Sequence, residues 1–173
     1  KLISELKNEG LQEQVRELSG WSLFSGLPLP TIAWFRSNNP EVFNAAERYF
    51  SVNDFIAHRL TGEFVSNPSN AGGMQLVDLQ TGNWSRELCE LAGIHPHMLS
   101  DLQPSGSVIG KIKPDISKLT GLSPETVLIN GGHDQVCNAL GLGINDPGKY
   151  LLACGTAWVF TGILNSPAIK KIP

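Results

Sequence analysis

No apolar stretch in this chain approaches the roughly 20 residues that a membrane-spanning helix needs, so no membrane partner is expected. Charge of one sign is equally scarce: 13 Lys and Arg stand against 16 Asp and Glu, a net charge of −3, with no basic run. Binding to a phosphate backbone needs clustered Lys and Arg, so no nucleic-acid partner is expected either. The three cysteines, Cys89, Cys137 and Cys154, are too few and too scattered for a disulfide framework. A reducing, cytoplasmic setting is expected, and no secretory leader pattern opens the sequence. Two nucleotide-binding signatures are missing. With no GxxxxGK[ST] loop and no GxGxxG turn, neither a P-loop nor a dinucleotide fingerprint can account for nucleotide binding here.

What is present is ordinary globular composition. Of 173 residues, 41% are hydrophobic and 17% charged, which argues against disorder and suffices for the core of one domain or slightly more. The chain starts at Lys1 without Met and stops at Pro173 just after an apolar run, and so reads as a piece of something longer.

Local patterns predict an α/β chain. Leu11, Val15 and Leu18 repeat at helical spacing, with Gly20 as a stop. A second helix is expected over Thr31–Ser37. A third should follow Pro40, with Val42, Phe43, Ala46, Tyr49 and Phe50 on one face. Ser51 and Asp54 form a capping-box pattern for a fourth, with Gly62 beyond its end. A β ribbon is then expected from Glu63–Ser66 and Met74–Leu79, with a turn at Thr81-Gly82-Asn83. Ser85 should cap a helix that stops at Gly93, and a short helix lies near Asp115–Leu119. Val127–Ile129 has the look of a buried strand. An apolar helix over Val136–Leu142 follows, then strands at Tyr150–Cys154 and Ala157–Leu164. The Gly155-Thr156 pair between them suits a two-residue hairpin turn with positive φ at Gly155.

Two places could carry chemistry. In Gly131-Gly132-His133-Asp134-Gln135 a strand feeds a glycine turn and sets a carboxylate at a helix start. Glycines admit a ligand close to the backbone, and a helix N-terminus favours the ionised carboxylate. An ordinary acidic N-cap fits the same pattern. The Gly155-Thr156 turn offers backbone N–H groups and a hydroxyl, a small anion nest, or simply a hairpin turn. Weaker candidates are His133 and Cys137, four apart on a helix without further ligands, and His95 and His97 in a loop. Asn83-Trp84-Ser85 matches a glycosylation sequon, but Ser85 is better used as a helix cap.

The order of these motifs resembles the FGGY family of carbohydrate kinases over nearly the whole chain. Ser19–Pro40 (SGWSLFSGLPLPTIAWFRSNNP) is similar to the pentulose-kinase segment that joins a Trp-containing helix to a Pro-initiated one. Asn53-Asp54 with Arg59–Glu63 resembles "D…RLTGE", and Asn70-Ala71 with Asp78 and Trp84-Ser85 resembles "NAS…D…WS". Gly131–Gln135 resembles the "GGGDN/GAGDQ" turn, and Gly155-Thr156 the second phosphate turn.

The resemblance implies part of a ribonuclease H-like, actin-like ATPase fold. Residues 1–145 would be the later part of the sugar-binding domain and 146–173 the start of the ATP-binding domain, with the boundary near Asn145–Gly148. It implies ATP-dependent phosphorylation of a sugar hydroxyl, with Mg²⁺ and with a pentulose such as xylulose as substrate. Asp134 falls on the catalytic base and on the substrate, Gln135 on a substrate contact, and Gly155 and Thr156 on the ATP phosphates. A homodimer of the complete enzyme is a further expectation, and the piece alone is expected to be inactive. Three positions depart from the pattern. His133 stands where many members have Gly or Ala, Gly26 where glycerol kinases carry a substrate-wall Tyr, and Thr31 where pentulose kinases often have Lys. Glycerol or another polyol is the alternative substrate. A non-catalytic, actin-like sugar-binding regulator is the alternative class, and Asp134 at the glycine turn argues against it.

Overall fold

The computed structural model describes residues 10–165. The chain divides into two compact units, Lys1–Gly131 and Gly132–Pro173.

The first unit is mostly helical. Helix α1 (Leu11–Ser19) buries Val15 and ends at Gly20, whose φ of 77° reverses the chain. Helix α2 (Pro28–Asn38) begins three residues before the predicted start, because Pro28 and Pro30 sit in its first turn, where no intrahelical N–H is needed. Helix α3 (Pro40–Ala45) is about half as long as its periodicity suggests. At Ala46 the backbone turns extended, and Tyr49 N donates to Met98 O at 2.9 Å. Tyr49 OH donates back to Phe43 O at 3.0 Å, so these two rings meet through a chain reversal rather than along one helix. Helix α4 (Val52–Thr61) has the expected capping box from Ser51 and Asp54 and the expected Gly62 stop, at φ 93°.

The predicted ribbon does not form. Strand β1 (Val65–Ser66) pairs in parallel with β2 (Asp101–Leu102) and not with residues 74–79. That later segment cannot run extended, because the buried Gln75 sits at φ 61° in the left-handed region. Its backbone bonds are also dispersed: Met74 O accepts from Leu29 N at 3.1 Å, and Leu79 N donates to Leu18 O at 2.8 Å. Only an isolated bridge between Val77 and Trp84 is ribbon-like. A five-residue helix, α5 (Pro68–Gly72), occupies the intervening stretch, with Asn67 as its N-cap.

Helix α6 (Arg86–Ala92) is capped by Ser85 and stops at Gly93, as predicted. It packs on α2, and the shared core includes Leu29, Ile32, Leu76, Leu88, Cys89 and Ile94. Gly93 is required twice over. Its φ is +85°, and a Cβ there would stand 2.5 Å from Arg36 Nη1. His95 takes the N-cap position of a single 3₁₀ turn, Pro96–Met98, and His97 lies within it, with their rings stacked at 5.5 Å. Strand β3 (Val108–Lys111), helix α7 (Pro114–Thr120) and strand β4 (Val127–Ile129) complete the unit. β4 forms where expected, antiparallel to β3, but Val127 and Ile129 are 43% and 48% exposed. A β-branched run encodes the extended backbone, whereas burial needs layers on both faces, and among the described residues this sheet has two strands.

The second unit contains helix α8 (Asp134–Gly141) and an antiparallel hairpin of β5 (Tyr150–Cys154) and β6 (Trp158–Gly162). α8 begins two residues earlier than its apolar run. Cys154 pairs with Trp158, so the connection is three residues, Gly155-Thr156-Ala157, and not two. The extra residue removes the need for a primed turn, and Gly155 is not among the positive-φ glycines. Taken by element content, the chain is mixed α/β, as its patterns indicate.

Candidate functional site

The glycine turn begins inside a polar lattice of the first unit. Buried Asn130, just past β4, donates its backbone N–H to Ser107 O and accepts from Gly106 N, each at 2.8 Å. Its Nδ2 donates to Gln103 O at 2.7 Å and to Ser66 O at 3.3 Å. The next carbonyl, Gly131 O, accepts from Asn67 Nδ2 at 2.6 Å.

In the second unit the N-cap of α8 is His133, which leaves Asp134 at the first helical position. Asp134 thus stands one residue inside the cap position, although its carboxylate still serves the first turn. Asp134 Oδ1 accepts from Gln135 N at 2.7 Å and lies 3.0 Å from His133 Nδ1. The same Nδ1 is 3.3 Å from Gln135 N. One ring nitrogen cannot be acceptor and donor at once. The two shorter contacts assign Gln135 N–H to the Asp134 carboxylate and leave Nδ1–H to donate to the same oxygen. The Asp134 side chain is 76% exposed, so this carboxylate is an oriented acceptor open to a ligand. Gln135 Oε1 is shielded from solvent and has no hydrogen-bond partner among the described residues. A buried amide oxygen left unpaired costs free energy, and a ligand hydroxyl would recover it.

Gly155 and Thr156 are exposed at the tip of the hairpin. Cys137 is exposed on α8. Among the described residues no group of three or more His, Cys, Asp or Glu side chains could hold a metal ion, and His133 and Cys137 belong to no such group. Nor is any helix among them long and apolar enough to cross a membrane.

Gly26 and Thr31, the two departures, both line a cleft of about 420 Å³ in the first unit, with Ile32, Phe35, Phe43 and Tyr49 among its walls. Its hydroxyls are committed internally: Thr31 Oγ1 donates to Leu27 O, Tyr49 OH to Phe43 O and Ser51 Oγ to Asp54 Oδ1. The cleft presents mainly apolar surface. Sequence reasoning passed over Asn67 and Asn130. An N-cap residue followed by Pro68 at the first helical position was a readable signal for Asn67. Nothing local marks Asn130.

Known proteins place this geometry in a class. The N-terminal domain of the FGGY family of carbohydrate kinases matches residues 1–141. An autoinducer-2 kinase from Yersinia enterocolitica is 32% identical over 156 residues, covering 90% of this chain and 29% of that protein. A gluconate kinase structure from Lactobacillus acidophilus superposes with a TM-score of 0.93 at 26% identity, covering 98% of this chain and 34% of its own. A ligand-bound xylulose kinase structure from the same organism gives the same TM-score, identity and coverage. The chain thus spans about a third of the length of the relatives it matches. It belongs to the FGGY family of carbohydrate kinases, and its fold is part of the actin-like ATPase fold of those enzymes.

Proposed function

We propose that the complete protein transfers the γ-phosphoryl group of ATP to a hydroxyl of a small sugar, with a pentulose such as xylulose as the first candidate. The observation that carries this reading is the Gly131–Gln135 turn, where an oriented, exposed carboxylate adjoins an unpaired, shielded amide oxygen. When bound, ATP supplies the phosphoryl group and Mg²⁺ neutralises its oxygens. Magnesium in such sites is held by substrate phosphates and one or two carboxylates rather than by a protein cage. Asp134 orients the acceptor hydroxyl and takes its proton as the new O–P bond forms. Gln135 Oε1 accepts from a second sugar hydroxyl. The Thr156 hydroxyl and the backbone at Gly155 hold phosphate oxygens. The family match over residues 1–141 supports a boundary near 145/146, with the hairpin opening the ATP domain.

The autoinducer-2 kinase relatives, at 32% identity, favour the substrate of that name as a second reading. A coupled ADP-release assay on the complete enzyme with xylulose, ribulose, gluconate, glycerol and autoinducer-2 separates them. The highest kcat/KM on xylulose or ribulose supports the first reading, and on autoinducer-2 the second. Sugar binding without ADP release from any of them rejects the kinase reading.

A further inference from the structure

The contacts of Asn67 reach beyond its helix. This residue is 6% exposed and commits both ends of its amide. Oδ1 accepts from Ser69 N at 2.8 Å and from Ser69 Oγ at 2.5 Å, which caps α5. Nδ2 donates to Ser105 Oγ at 2.6 Å and to Gly131 O at 2.6 Å. An N-cap needs only the oxygen, and Ser or Asp would serve as well. The amide nitrogen is what Asn adds, and here it is spent on a carbonyl 64 residues away. A Cβ on Gly131 would meet nothing within 4 Å, so no side chain crowds that face of the glycine. Asn130, the residue before Gly131, is itself held by four hydrogen bonds. Beyond Gly131 the chain passes through a second glycine to His133 and Asp134.

We propose that Asn67 is a positioning residue for Asp134, its Nδ2 fixing the Gly131 carbonyl from which the Gly132-His133-Asp134 segment departs. The proposal rests on Asp134 acting as general base. A glycine pair without this anchor samples a wider range of backbone angles, and a carboxylate displaced by about 1 Å can lose on the order of 10² in rate.

The test is a double-mutant cycle in the complete enzyme. Asn67→Ser keeps a capping oxygen but cannot reach Gly131 O. Its kcat should fall about 10- to 100-fold, with sugar KM changed by less than about threefold. In an Asp134→Asn background the same substitution should cost less than about twofold, because the carboxylate it serves is already gone. A purely structural role would lower activity equally in both backgrounds, and that outcome overturns the proposal. Full activity of Asn67→Ser beside a crippled Asp134→Asn overturns it too, and leaves the general base standing. Full activity of Asp134→Asn removes the general base and this proposal together. If Asn67→Ser fails to fold, the isosteric Asn67→Asp caps the same helix, faces the Gly131 carbonyl with an acceptor, and is read by the same cycle.

Discussion

Replacing Asp134 with Asn separates two roles that a carboxylate at a helix start can play. The structural cost is bounded by the geometry. The side chain is 76% exposed, and its 3.0 Å contact with His133 Nδ1 is a surface pair, a type worth about 0–1 kcal/mol. Its first-turn position on α8 contributes about 0.3–1 kcal/mol through the helix dipole. Asn retains an oxygen for the 2.7 Å bond from Gln135 N, so part of even this small sum survives. About 1 kcal/mol corresponds to a midpoint shift of roughly 2–4 °C in a domain of this size, and less in a larger protein. The kinetic cost is of another order. Asn cannot take a proton, and losing a general base lowers kcat by on the order of 10²–10⁴. At about 1.4 kcal/mol per decade that is roughly 3–5.5 kcal/mol of barrier. The assay measures kcat at saturating sugar and ATP and the thermal midpoint on one preparation of the complete enzyme. Residual activity that follows the folded fraction refutes the base assignment. A wild-type kcat with a wild-type midpoint shows that Asp134 is neither base nor structural group.

Three further outcomes are expected. Thr156→Ala should raise KM for ATP several-fold and leave sugar KM unchanged; a fall in sugar affinity with normal ATP kinetics rejects the phosphate assignment. Asp54→Ala should lower stability by about 2–4 kcal/mol, because Ser100 Oγ and Ser51 N lose their acceptor; an unchanged denaturation midpoint contradicts this. Burial, and then the neighbouring Glu90, push the Cys89 thiol up from its ordinary 9.0 to about 12. Stability should therefore be full below about pH 9 and decline towards pH 12, as the unfolded state loses a proton that the folded state keeps. Cys89→Ala should flatten that decline, and at pH 8 Cys89 should react with a thiol reagent only on unfolding, while exposed Cys137 and Cys154 react directly.

The parts of the fold that could be read in advance are those whose chemistry closes within a few residues. Ser51 with Asp54, Ser85 with Leu88 N, and the glycine stops at 20, 62 and 93 each complete a local hydrogen-bond set. The parts that misled depend on distant partners. β1 has no local mate, since its neighbour β2 lies some 35 residues on and runs parallel. Residues 74–79 alternate like a strand, yet Gln75 Nε2 is committed to Ser22 O at 2.7 Å and its backbone to the left-handed region. The apolar stripe after Pro40 is real as a contact surface, but Met98 O competes for the Tyr49 amide and ends the helix at Ala45. Periodicity reports which residues seek burial; the hydrogen-bond competitor that decides their backbone lies elsewhere in the chain.

The same division runs through the site. Asp134 could be singled out as a candidate because a strand, two glycines and a helix start lie in one short stretch, and because the Gly-Thr turn follows in order. That His133 takes the capping position, and that Asp134 stands one residue inside the helix, was not legible, since a helix boundary shifts by a residue or two without a local signal. Asn67 reads locally as a helix cap and nothing more, because the Gly131 carbonyl that takes its second amide proton lies 64 residues away. On the proposed reading, such a site has a visible part, the group that meets the ligand, and a hidden part, the group that holds it. Chemistry restricts the first to a few residue types in short motifs. The second can be any buried donor at 2.6–3.0 Å from a free carbonyl, a condition that only the folded chain makes specific.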